Sequence, residues 1–181
     1  MDFIKLVELR QSDRKFTDRK IEDEKLLKCL EVGRLAPSAS NSQPWTFVVV
    51  KDENLKNEVA QNTFGPLKSF NKFVPQANII IAIVQEKKKL LTEIGGRIKD
   101  KDYALIDIGI AAEHICLQAA EEGLGTCMLG WFDEKKVKEL LKVPEKKNIP
   151  LLIAMGYTPD DYLHRKKTRK KPDQVIKYNT Y

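Results

Sequence analysis

At 181 residues, 42% hydrophobic and 32% charged, the chain has the size and composition of one folded domain rather than of a disordered or fibrous protein. Its longest strictly apolar run, residues 79–84, falls far short of the roughly 20 residues that cross a bilayer, and Met1-Asp2-Phe3-Ile4-Lys5 lacks the basic-then-apolar order of an export signal, so neither membrane nor secretion is expected. The formal charge of +6 sits in one place: Arg165-Lys166-Lys167-Thr168-Arg169-Lys170-Lys171 holds six of the 32 basic residues and no acid, and the remaining 26 balance 26 acids. That argues against a nucleic-acid-binding face and for one anion or one anionic partner.

Phe3, Ile4, Val7 and Leu9 predict a short helix running into Arg10. A second helix follows Asp23 and Glu24, carries Leu26, Leu27, Leu30 and Leu35, and stops before Pro37. Residues 36–44 read as a loop of small and turn-forming residues. Trp45 to Val50 is a predicted strand and Glu53 to Gln61 a predicted helix, whereas residues 62–76, with Gly65, Pro66 and Pro75, give no assignment. Ala77 to Val84 is β-branched without alternation, as in a strand buried on both faces. Residues 102–122 form a long helix, apolar almost all the way round, that must be buried in the core or against a partner subunit. Gly123-Leu124-Gly125 caps it. Thr126 to Leu129 is a short strand, Asp133 starts a helix to Leu141, and Pro150 to Tyr157 is a further strand. The expected fold class is α+β, a single domain over residues 1–181 with four or five strands, in which residues 158–181 form a basic tail.

Side chains that could carry chemistry unaided are scarce. Gly123-x-Gly125 superficially resembles a phosphate loop, but a helix precedes it and a strand follows, the reverse of a dinucleotide fold. His114 and Cys116, two apart on a helix, point in different directions and cannot share a metal. His164 falls in the basic tail. No metal site is expected. Three cysteines, Cys29, Cys116 and Cys127, fit neither a disulfide framework nor a metal pair and suggest a reducing, cytoplasmic setting. If the chain is an enzyme, a bound cofactor carries the chemistry.

Three segments stand out as cofactor candidates. Arg10-Gln11-Ser12-Asp13-Arg14 combines two guanidinium groups with a hydroxyl, a set suited to phosphate. Ala36-Pro37-Ser38-Ala39-Ser40-Asn41-Ser42-Gln43-Pro44-Trp45 offers amide donors and acceptors of the kind a heterocycle edge requires. In Leu129-Gly130-Trp131, a glycine at 130 would let a flat ligand approach the backbone.

These segments resemble the nitroreductase family of flavoprotein oxidoreductases. The match runs through Arg10-x-Ser12-x-Arg14-x-Phe16, then Gly33-Arg34-x-Ala36-Pro37-Ser38-x-x-Asn41-x-Gln43-Pro44-Trp45, then Asp107-x-Gly109 through Gln118 to Gly125, and reaches Met155-Gly156-Tyr157 and the basic tail. The resemblance implies a three-layer fold with a central, mostly antiparallel sheet flanked by helices. It implies an intertwined homodimer whose extended C-terminal tail, 158–181, packs on the partner. It also implies non-covalent FMN at the dimer interface and NAD(P)H as electron donor. By similarity, Arg10 and Ser12 hold the phosphate with Lys167 and Arg169, and Gln11 also belongs to the cofactor-binding set. Arg14 lies near flavin N1 and the C2 carbonyl. Pro37, Ser38, Ala39 and Asn41 come from the other subunit, and Leu129 and Gly130 give backbone contact at N5. Ser40 and Trp131 face the substrate, although Trp131 is equally compatible with the core. The implied reaction is ping-pong hydride transfer to a small electron-poor acceptor such as a nitroaromatic, quinone or activated alkene. Two alternatives stay open: a non-enzymatic module binding nucleic acid or an acidic partner through residues 165–171, and another flavin chemistry, dehalogenation or dehydrogenation, on the same fold.

Overall fold

The computed structural model describes residues 2–65, 70–86 and 101–181. Its helices are α1 (Phe3–Leu9), α2 (Asp23–Arg34), α3 (Glu53–Gln61), α4 (Tyr103–Glu121), α5 (Glu134–Leu141) and the short α6 (Pro172–Val175). The strands are β1 (Trp45–Val50), β2 (Ile79–Gln85), β3 (Gly125–Leu129) and β4 (Asn148–Gly156). They form one sheet in the order β1-β2-β4-β3, antiparallel throughout.

The continuous apolar character of β2 follows from its central place. Ile79, Ile81 and Ile83 join the core beneath α2 and α4, whereas Ile80, Ala82 and Val84 join the opposite core beneath α3 and α5. The molecule therefore has three layers, helices on each side of a sheet. Each fully buried isoleucine contributes about 1.5–3 kcal/mol of transfer free energy. Pro150 is tolerated inside β4 because it lies beyond the end of β3 and where the β2–β4 register shifts between Ile83 and Gln85.

Element boundaries differ from expectation where side chains override periodicity. Ala77 is not in the strand: Val74–Gln76 is a 3-10 turn that delivers the chain into β2 at Ile79. β4 starts at Asn148, ahead of the proline. Part of the unassigned segment 62–76, residues 66–69 with Pro66, lies outside the described residues. Asp133 is the N-cap of α5, its carboxylate accepting from the backbone N–H of Lys136. Gly123, at φ +75°, turns the chain out of α4, so that Leu124 N–H reaches the carbonyl of Ala119 at 2.7 Å.

α4 is long and apolar enough to cross a membrane by composition alone, yet nine of its residues, including Asp107, face the protein core. Its opposite side exposes Leu105, Ile106 and Ile110 around Gly109, where an added Cβ would meet nothing within 4 Å.

Candidate functional site

The segment after α1 is extended and lies along the free edge of β3. Ser12 forms a parallel bridge with Thr126. Asp13 N–H donates to the Thr126 carbonyl at 2.7 Å, and Thr126 N–H donates to the Asp13 carboxylate at 3.2 Å. Four steps of extended chain put Arg10 and Arg14 roughly 13 Å apart.

At the Arg10 end several cations meet. Arg10 pairs with Glu113 of α4, Nη2 to Oε1, at 2.9 Å. Lys167 Nζ donates to the carbonyls of Val7 and Arg10, which end α1. Partial burial lowers the Lys167 pKa, and the neighbouring Arg10 and Arg169 cations lower it further. The Arg169 guanidinium donates to its neighbour's carbonyl, Thr168 O, at 2.8 Å. Gln11 is buried; its Oε1 accepts from Arg165 N–H at 3.1 Å, and its side chain also acts on the neighbouring Asp13 carboxylate. The Ser12 carbonyl accepts from the Arg165 guanidinium. Arg10, Lys167 and Arg169 therefore come together although the tail joins α1 from more than 150 residues away, whereas Gln11 and the Ser12 carbonyl are tied to Arg165.

At the Arg14 end lies an open cleft of about 480 Å³, lined by Arg14, residues 70–73 and residues 127–131. Leu129 is buried at the end of β3, and Gly130 follows it at the surface. An added Cβ at Gly130 would meet nothing within 4 Å, so the chain's own packing does not demand this glycine; its bareness leaves the cleft floor open. Trp131 is 56% exposed and tilts against Phe70, ring centroids 6.4 Å apart. It is therefore no core residue, which removes one of its two expected roles. Arg14 N–H donates to the Tyr162 hydroxyl at 3.0 Å, while its guanidinium pairs with no carboxylate among the described residues.

The loop of residues 37–43 is built differently. Buried Asp107 accepts from Ala39 N–H at 3.2 and 3.1 Å and from the Ser42 hydroxyl at 3.5 Å. Ser38 Oγ accepts from Gln43 N–H, and Asn41 Oδ1 accepts from Gln43 Nε2. Ser40, Asn41 and Gln43 all adopt left-handed backbone, φ 52°, 49° and 46°, a conformation that costs of order 1 kcal/mol or more per non-glycine residue and is kept where surrounding structure enforces it. Asp107 and Glu113 are six residues apart on α4, roughly 9 Å along its axis and on different faces. Accordingly, none of Pro37, Ser38, Ala39, Ser40 and Asn41 lines the cleft. Within one chain the predicted cofactor residues fall into two separate groups.

Asp107, Glu113, Tyr162, Asn71 and Lys72 were not singled out as site residues by sequence reasoning. Asp107 leaves a signal, an acid inside the apolar run Leu105-Ile106-Asp107-Ile108. Asn71 and Lys72 sit in a stretch without periodicity. Among the described residues no cluster of His, Cys, Asp and Glu could hold a metal. All three cysteines are free and buried, and burial pushes the thiols of Cys29 and Cys116 up to about 12, so neither is a nucleophile at neutral pH.

Comparison with known proteins gives the same result from three directions. A family model described as "Nitroreductase family" matches residues 7–71 and 65–157. An oxygen-insensitive NADPH nitroreductase of Helicobacter pylori is 30% identical over 152 residues, 70% of this chain and 72% of that protein. A nitroreductase family protein from Clostridium novyi superposes with a TM-score of 0.78 at 34% identity, covering 88% of this chain and 87% of the other. An FMN-dependent nitroreductase from Clostridium difficile superposes at 0.76 and 29% identity, covering 98% and 99%.

Proposed function

The chain belongs to the nitroreductase family and is an NAD(P)H-dependent oxidoreductase, and from that premise we propose that two copies of it hold FMN between them and reduce small electron-poor acceptors. When bound, FMN supplies a ring that takes hydride from NAD(P)H at N5 and passes reducing equivalents to a nitroaromatic, quinone or activated alkene in ping-pong order.

The observation that carries this reading is the convergence of Arg10, Lys167 and Arg169 on one spot, where Glu113 offsets only part of their charge. A phosphate dianion would relieve that crowding. Each charge-assisted hydrogen bond contributes about 1.5–3 kcal/mol, so a few of them dominate cofactor retention. Ser12 adds a hydroxyl. Arg14, at the other end of the extended segment, offers positive charge where the pyrimidine edge of the flavin would gather negative charge. The Leu129–Gly130 backbone would offer N–H contact at N5, with open space beside Gly130. Residues 37–41 are set apart from the cleft in their own chain and complete the partner's site. Exposed apolar residues on α1 and α4 supply the surface for that pairing. Ser40 and Trp131 face the acceptor. A cytoplasmic location accords with three unpaired cysteines. Nucleic-acid binding through residues 165–171 is the weaker reading, because Arg165 and Lys167 are engaged with their own chain.

The test is the visible spectrum of gently purified protein, with and without NADPH under anaerobic conditions. A flavin spectrum that bleaches is expected; colourless protein unable to take up FMN would sink the proposal. Arg10→Ala is expected to lower the flavin-to-protein ratio without changing helix content, and an unchanged ratio contradicts the phosphate assignment.

A further inference from the structure

The cleft has a feature that the flavin reading does not use. Its lining contains two cations, Arg14 and Lys72, and no carboxylate. Arg14 is taken by the flavin edge. Lys72 is exposed and makes no hydrogen bond or ion pair with any described residue. Lysines elsewhere in the chain, such as Lys25, Lys56, Lys136 and Lys147, do have partners.

Lys72 is also held beside an aromatic wall. Asn71, in the left-handed region at φ 58°, donates through Nδ2 to the carbonyl of Trp131 at 3.2 Å and to that of Thr63 at 3.0 Å. This ties residues 70–73 to the segment after β3 and fixes the Phe70–Trp131 pair at the cleft mouth. Both rings remain more than half exposed. Large aromatic faces left uncovered next to an unpaired cation recognise a flat ring bearing an anionic group: the ring stacks, and the anion meets the ammonium.

We infer that the acceptor this cleft selects is an aromatic acid, a flat electron-poor ring carrying a carboxylate or a like anion that pairs with Lys72. The inference rests on the proposed flavin site and names its substrate class. Lys72 acts on binding, not on the reacting atoms, so its effect belongs in KM.

FMN-loaded protein is assayed with 4-nitrobenzoate and with neutral 4-nitrobenzamide, and comparing proteins cancels the different intrinsic reactivities of the two acceptors. Lys72→Gln is expected to raise KM for the nitrobenzoate by about tenfold, the loss of one partly solvated charge-assisted contact, and to change KM for the nitrobenzamide far less. Lys72→Glu is expected to penalise the anion further, and high salt to shrink the wild-type preference. Equal changes for both acceptors overturn the inference. So does a KM increase confined to NADPH and absent with NADH, which would assign Lys72 to the donor's ribose phosphate. Flavin content and bleaching by NAD(P)H are recorded for each variant first. Bleachable flavin with no charge preference sinks the acceptor class alone, whereas absent flavin sinks both readings.

Discussion

Asp13 is a carboxylate in surroundings that disfavour its charge. It is 7% exposed and clamped to Thr126 of β3 through both backbone and side chain. Burial raises its pKa above the ordinary 3.8, only partly countered by the Thr126 N–H, the Gln11 side chain and the charges of His164 and Arg165. Because the folded-state value is raised, the folded protein holds this proton more tightly than the unfolded chain does. Ionised Asp13 therefore costs stability above the raised pKa, and the cost fades as pH falls through that value towards the unfolded one. Asn at this position keeps an oxygen for the Thr126 N–H and loses the charge. Asp13→Asn is expected to raise the urea midpoint of the apoprotein at about pH 7 and to match wild type near about pH 3. A lower midpoint at neutral pH would mean that Arg165 and His164 need the anion more than burial penalises it.

At the scale of elements, α1 is a weakly secured helix. It buries no residue and has no basic residue in its last turn, so its final carbonyls depend on Lys167 from the tail. A chain ending at Arg165 loses that cap together with two cations of the phosphate cluster. Faster amide exchange at residues 3–10 is expected, with FMN affinity lower by about 3 kcal/mol, or about 100-fold. Full flavin retention would return the tail to a solvated appendage. Such long-range docking is where reading the sequence runs out. β1, α3, α5 and α4 were legible because their capping and periodicity are local: Asp52 and Asp133 each cap a helix whose first turn they precede. The acid-free run 165–171 suggested an anion site, but nothing local says that Lys167 rather than Lys166 turns inward. The cleft wall at residues 70–73 was illegible for another reason. Asn71 takes its left-handed conformation from bonds to Thr63 and Trp131, and the second partner lies 60 residues away.

The molecule taken whole exposes more apolar side chain than one chain can explain. Phe3 and Ile4 of α1 are each about two-thirds exposed, and Leu105, Ile106 and Ile110 of α4 surround a glycine with open space before it. Contiguous apolar surface of this kind on a folded domain marks an interaction face. The proposed second copy would cover this face and would also bring the loop 37–41 to a cleft. In an isolated chain Ile106 is 54% exposed, so Ile106→Glu is expected to change monomer stability by no more than about 0.5 kcal/mol. Across a two-fold interface the same substitution buries a charge on each side of the axis, at a cost of several kcal/mol. Ile106→Glu should therefore sediment as a monomer at micromolar concentration where wild type sediments as a dimer, and should lose its flavin although Arg10, Arg14 and Lys167 are untouched. A wild-type monomer that keeps its flavin at that concentration would show that one chain suffices, and residues 37–41 would then need another role.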